Sequence, residues 1–301
     1  MTGKLLLTGL IALTLRDDAG RLQIFTLRPD GGGRTQLTFE GQNGIPAWSR
    51  DGKRLVFARV TESGAAIGVM DADGSNQKLL GPGIAPDWSP DGKRIAFSFS
   101  YGRIWVMNAD GSERRALSRG AAAKSRPSWS HDGTRLAYII IGNPSDPSDP
   151  QPQLGVMNAD GSGERLLTVE KRTNVRVEAD GTKTVLETAY DANAPSWSPV
   201  DDRIAFWSGI ETRYGQVWVM RANGSGSRQL TDDPTHGNND DPSWSPDGKK
   251  ILFSTGRSGR RNELWVMNAD GSNPRFLSVI DANPFPGRAS WQPVFRKSGR
   301  R

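Results

Sequence analysis

The sequence predicts an all-β protein, a six-bladed β-propeller with four antiparallel strands per blade, and three observations predict it. Tryptophan beside small or polar neighbours recurs at Trp48, Trp88, Trp129, Trp197, Trp244 and Trp291. A Val-Met pair followed by an Asp-Gly or Asn-Gly turn recurs after five of them: Val69-Met70, Val106-Met107, Val156-Met157, Val219-Met220 and Val266-Met267. A weaker copy occupies residues 24–31, ahead of the first Trp. The tryptophans are 40, 41, 68, 47 and 47 residues apart, so the basic unit is about 40 residues, the length that four short strands and their turns require.

Within a unit the turn chemistry places the strands. The first ends at Pro86-Asp87-Trp88. In Ser89-Pro90-Asp91-Gly92 the proline presets a negative φ, the aspartate caps its own backbone and the glycine takes the positive φ that returns the chain. Ile95-Ala96-Phe97 then reads as the second strand and Ile104-Trp105-Val106-Met107 as the third. The Asp110-Gly111 turn leads to Ala116-Leu117-Ser118 as the fourth. Units built this way are expected at about 45–80, 85–118, 126–168, 194–231 and 241–278, with a sixth divided between 287–295 and 5–38, all within one domain of residues 1–301.

That division follows from what each end lacks. The last tryptophan copy, Ala289-Ser290-Trp291-Gln292-Pro293, has a first strand and no second, third or fourth after it. The missing strands stand at the other end, where Leu10-Ile11-Ala12-Leu13 aligns with Arg94-Ile95-Ala96-Phe97 and Gln23-Ile24-Phe25-Thr26-Leu27 aligns with the third strand. A small sheet with two apolar faces must stack on copies of itself, and twist bends the stack into a ring whose closure hides both ends. Residues 5–15 superficially imitate a signal peptide, but a small-residue cleavage site is missing and cleavage there would delete a strand of the ring.

Composition narrows function by exclusion. The 10 Trp and 10 Phe argue for a folded chain, and without cysteine there is no disulfide, thiolate metal site or thiol nucleophile. The net charge of +6 is scattered among 33 Asp and Glu, with no basic face or stacking aromatics for nucleic acid. No apolar run reaches the ~20 residues of a membrane-spanning helix.

The Pro-x-Trp-Ser-Pro-Asp-Gly and Val-Met-x-Ala-Asp-Gly-Ser motifs, over nearly the whole chain, resemble the repeats of TolB-like six-bladed β-propellers, also found in prolyl oligopeptidase propeller domains. The resemblance implies the fold and a periplasmic or extracellular setting. The chain shows no clear export signal, so a cytoplasmic setting or an excised domain stays open. Departures are Arg50 and His131 at the turn proline, Val200-Asp201-Asp202 where Pro-Asp-Gly is expected, and Gln292 for Ser; they read as worn turns.

Both hairpins inside a unit are nearly constant in length and lie on one face of the ring. Length variation falls on the other face, in residues 142–153, 169–193, 232–241 and 279–288, and insertions confined to one face mark the binding surface of a repeat scaffold. The largest insertion alternates on both sides of Asp180-Gly181, which predicts an extra hairpin, either a passive decoration or a lid or edge for a partner. The residues before the first-strand proline, Ile45, Ala85, Arg126, Ala194, Asp241 and, by alignment, Arg288, are placed near the channel mouth. With Asp191, Asn193, Asn239 and Asp240 nearby, this ring is the candidate ligand-binding site. Arg126 and Arg288 would supply forked donors to a peptide or its terminal carboxylate, and a solvated, mutually paired rim is the other reading.

Catalytic chemistry is poorly represented. Of the two histidines, His131 lies in a turn on the opposite face and His236 in a loop; there is no Gly-x-Ser-x-Gly elbow, and propeller lyases that hold a metal through several histidines are disfavoured. Asp232 and Asp233, with Asp240 and Asp241, crowd one loop and are candidate Ca²⁺ ligands, the one cofactor considered. The expectation is a monomeric, non-catalytic binding protein that captures a peptide or protein segment. The alternatives are a carbohydrate-active hydrolase or lyase using mouth carboxylates, with or without a divalent ion, and a pure scaffold.

Overall fold

A computed structural model describes residues 9–100, 102–120, 122–141, 152–167, 172–177, 183–188, 192–209, 215–232, 238–256, 262–280 and 289–293. The described regular elements are all strands, β1 to β26 in chain order.

β1 (Ile11–Arg16), β2 (Leu22–Leu27) and β3 (Thr35–Gln36) open the chain. Blade 1 is the antiparallel meander β4 (Gln42–Trp48), β5 (Arg54–Thr61), β6 (Gly64–Asp71) and β7 (Lys78–Pro82). Blade 2 is β8 (Ile84–Trp88), β9 (Arg94–Phe99), β10 (Arg103–Asn108) and β11 (Arg115–Ala116). Blade 3 is β12 (Ala123–Trp129), β13 (Arg135–Ile141), β14 (Gln153–Asn158) and β15 (Arg165–Leu166). The expected extra hairpin follows as β16 (Arg172–Val177) paired with β17 (Lys183–Thr188) in a separate two-stranded sheet, with Val175 opposite Val185.

Blade 4 is β18 (Ala192–Trp197), β19 (Arg203–Ser208), β20 (Gln216–Arg221) and β21 (Arg228–Gln229). Blade 5 is β22 (Asn239–Trp244), β23 (Lys250–Thr255), β24 (Asn262–Asn268) and β25 (Arg275–Ile280). The last strand, β26 (Ser290–Trp291), joins the first three in the order β26-β1-β2-β3, with Ile11 opposite Trp291 and Ala12 opposite Ser290. The sixth blade is therefore shared between the two ends of the described chain.

Packing closes the circle. Six buried apolar clusters fill six interfaces, each drawn from two neighbouring blades. Ala96, Ile104 and Leu117 of blade 2, for instance, pack on Trp129, Leu136 and Tyr138 of blade 3. The seam that proves closure joins Leu252, Leu264 and Val266 of blade 5 to Ile11, Phe25 and Trp291 of the shared blade. Second strands such as β9 are buried on both faces, as stacking of a sheet on both sides demands.

Three devices lock neighbouring blades together. The arginine six residues after a Trp stacks on the Trp of the next blade: Arg54 on Trp88, Arg94 on Trp129, Arg135 on Trp197 and Arg203 on Trp244, with guanidinium to ring distances of 4.6, 4.8, 5.0 and 4.7 Å. Along the channel wall the side chain of the residue just before each Trp accepts the backbone N–H of the Trp of the following blade: Ser290 from Trp48, Asp87 from Trp129 and Ser128 from Trp197. In the outer turns, Gly271 (φ 88°) abuts blade 4, where a Cβ would lie 2.7 Å from the Leu230 carbonyl oxygen, so close approach as well as φ requires glycine.

Candidate functional site

The first strands of blades 1 to 5 carry the same distortion. Ile45, Ala85, Arg126, Ala194 and Asp241, each preceding a proline, have φ of 53, 51, 53, 49 and 47°. Each sits in a break of the ladder to the second strand, between Gly44 and Ala47, Ile84 and Asp87, Ser125 and Ser128, Asn193 and Ser196, and Asp240 and Ser243. A bulge of this kind re-aims a side chain, here at a cost of about 1 kcal/mol per left-handed residue. The freed backbone amides find new acceptors: Ile45 donates to Thr14 Oγ1 and Arg126 to Ser98 Oγ.

At this level Arg126 of blade 3 reaches past blade 4 to Asp241 of blade 5, Nη1 to Oδ1 at 2.7 Å. Asp241 is 4% exposed and the arginine side chain about a third exposed, so one end of the pair meets solvent. Ser254 donates its hydroxyl to the carboxylate of neighbouring Asp240. Burial, and then the negative charge of Asp241, push the Asp240 carboxyl up to about 7, against the opposing pull of the Ser254 hydrogen bond and Arg126. A carboxyl with a raised pKa thus stands beside a second carboxyl group that is paired with a guanidinium.

This arrangement gives a pH signature. An aspartate whose carboxyl is raised in the folded state binds more protons folded than unfolded, so its contribution is harmless below about pH 4 and increasingly unfavourable up to about pH 7. Asp240→Asn keeps an acceptor for Ser254 and removes the charge. Its melting temperature is expected to exceed wild type by about 3 °C at pH 8, a gain of the order of 2 kcal/mol, with the two converging at about pH 3.5. Thermal melts at the two pH values measure it.

The other expected site residues are placed differently. Asn193 is half-buried and its Oδ1 accepts the Ala194 N–H at 2.7 Å, which supports the bulge. Asn239 was expected at the mouth but is fully buried in the seam between blades 4 and 5, donating to Gln216 Oε1 at 2.9 Å, while Thr231 donates to the same oxygen. Gln23, Thr38 and Asn43 repeat this knot where the shared blade meets blade 1, so the two asparagines answer the polar needs of a seam. Asp232 is exposed. Asp191, Asp233, His236 and Arg288 lie outside the described residues. Among the described residues no three His, Asp or Glu gather as a metal set.

The opposite end of the channel holds what the sequence reading passed over. A cavity of about 130 Å³ there is lined by the six repeat tryptophans, by serines including Ser128, Ser196, Ser243 and Ser290, by Asp87, and by the turn residues Arg50, Pro90, His131, Pro199, Pro246 and Pro293. Arg50 of blade 1 donates from Nη2 to the Pro199 carbonyl of blade 4, directly across the ring, at 2.6 Å. His131 Nδ1 lies 3.7 Å from Asp202, which also accepts from Arg135 at 2.7 Å. Two of the departures read as worn turns, Arg50 and His131, meet here. Their signal was present, as a cation where four copies keep proline.

Residues 175–295 match the family described as the TolB beta propeller domain. The chain is 43% identical over 58 residues to the Tol-Pal system protein TolB of Geobacter sulfurreducens and 25% identical over 140 residues to that of Nitratidesulfovibrio vulgaris. Those stretches cover 19% and 42% of this chain, and only 13% and 30% of the relatives' own length. The crystal structure of TolB from Acinetobacter baumannii superposes with a TM-score of 0.74 at 20% identity, covering 96% of this chain and 68% of that one.

Proposed function

We propose that this six-bladed β-propeller, whose residues 175–295 match the TolB beta propeller domain and whose fold is that of TolB, is a non-catalytic binding protein that captures a peptide or protein segment on the loop face, at the channel mouth. The observation that supports this reading is the Arg126–Asp241 pair spanning blades 3 and 5, a partly exposed guanidinium on a buried carboxylate. Such a pair offers charge-assisted donors to an acidic side chain or terminal carboxylate, and close charge pairs at interfaces carry specificity. The relatives named for the Tol-Pal system favour a protein partner of that kind and a periplasmic or extracellular setting. The binding unit would be a monomer, with the β16–β17 hairpin as a lid or pairing edge beside the mouth.

The test is a variant carrying Arg126→Ala, Asp241→Ala and Arg288→Ala together, so that no buried charge is left alone. Affinity for a captured partner is expected to fall about 100-fold while the circular dichroism spectrum stays that of the wild type. Unchanged capture would refute the mouth as the site. A second reading draws on Asp240, whose carboxyl is pushed up to about 7 beside the Arg126-paired Asp241, a pairing suited to acid and base roles on a glycan. It requires turnover on a carbohydrate panel that the same variant abolishes.

A further inference from the structure

We propose that the end of the channel opposite that mouth is a second, independent site, which takes the carboxylate of a small acid or peptide terminus on the guanidinium of Arg50. Six turn residues frame this opening, one per blade; four are prolines, one is His131, and one is Arg50. Proline would serve the turn at least as well, since it presets φ and the turn needs no amide at that position. An arginine there gives up that preset for a cation.

The geometry leaves that cation available. Arg50 spends Nη2 on the Pro199 carbonyl and has no carboxylate within ion-pair reach among the described residues. The four stacked arginines lie flat on tryptophans, whereas Arg50 lies in the cavity wall. It is partly buried, and burial alone pulls its guanidinium below the usual range, the mark of a desolvated cation that an anion would relieve. One edge of the guanidinium bonds across the ring and the remaining donors form a fork of the shape that a carboxylate fills.

The surroundings set limits on the ligand. About 130 Å³ admits a group of a few heavy atoms and no folded partner. Pro90, Pro199, Pro246 and Pro293 give the opening an apolar collar suited to a short aliphatic tail, and the His131 imidazole lies on the same rim. Asp87 in the same wall accepts the Trp129 backbone amide at 2.8 Å, an acceptor with no donor to offer a carboxylate, which leaves Arg50 as the group to hold it.

Acetate at constant ionic strength, with chloride as the replaced ion, is the probe, followed by nitrogen-proton spectra of the Arg50 side chain and the tryptophan indoles. Saturable shifts are expected in both, with a rise in melting temperature of about 2 °C at a tenfold excess over Kd. Arg50→Pro, which restores the repeat's own turn, should abolish the shifts and the rise; Arg50→Gln, which keeps a donor for Pro199, should weaken acetate at least tenfold and covers a folding defect in the proline variant. Arg126→Ala together with Asp241→Ala should leave them unchanged, which separates this site from the mouth. A dipeptide with a free C-terminus binding tenfold tighter than acetate, its amide not binding, would identify a peptide terminus; equal affinity would identify a small acid. A response that never saturates, or one that persists in Arg50→Pro and Arg50→Gln, overturns the proposal.

Discussion

Removing residues 289–301 is expected to abolish the native transition of the remaining chain. The loss takes away β26, and with it Trp291, 5% exposed and packed with Ile11, Leu13 and Leu252. Deleting a buried indole alone costs about 3–5 kcal/mol. Four cross-links go as well: the Gln292 N–H to the Leu10 carbonyl at 2.7 Å, the Leu10 N–H to the Gln292 side chain at 3.0 Å, the Gln292 side-chain amide to the Gly52 carbonyl at 2.8 Å, and the Trp48 backbone N–H to Ser290 at 3.1 Å. Each is worth about 1 kcal/mol, and the edge of β1 is left open besides. The sum approaches the whole of a domain's usual margin of about 5–15 kcal/mol. Urea unfolding followed by tryptophan fluorescence would show a single cooperative step for the full chain and a non-cooperative slope, or no folded baseline, for the shortened one. A retained transition with the same midpoint would mean that the last strand is ornamental.

Trp197→Ala is the point substitution expected to cost most. Its indole is 5% exposed and lies between blades 3 and 4 among Ala137, Ile139, Leu154 and Phe206. The cavity costs about 3–5 kcal/mol, and Arg135 loses the ring on which its guanidinium rests at 5.0 Å, about 1 kcal/mol more. For a chain of this length the melting temperature should fall by about 7 °C. Arg135→Ala, which spares the indole and loses the stack and the pair with Asp202, should cost about 2 °C. Equal effects of the two would show that the stack, and not the buried indole, holds that seam.

The strands were legible in the sequence because their boundaries are set locally: Ser89-Pro90-Asp91-Gly92 fixes a turn within four residues, and Arg94–Phe99 starts where that turn ends. Closure was legible too, as a bookkeeping of strands, since a lone first strand at one end matched three strands at the other. The candidate site was readable only in part. Position before the proline found the five left-handed residues, but nothing local says that Arg126 meets Asp241, 115 residues away and two blades on. Asn239 was misplaced because a polar residue near a loop looks the same whether it faces solvent or ties a seam to Gln216. Arg50 was taken for a worn turn because a turn needs four residues to explain it, whereas its contact with Pro199 requires the diameter of the ring.

The shared blade is the central claim, and the absence of cysteine allows a direct test. Ala12 and Ser290 stand opposite each other on β1 and β26, and directly opposed residues of an antiparallel pair have the Cα separation a disulfide spans. In the doubly substituted Ala12→Cys, Ser290→Cys chain, mild oxidation followed by proteolysis and mass spectrometry should find the two residues joined within one molecule. Free thiols after oxidation, or links found only between molecules, would contradict a ring closed by its own two ends.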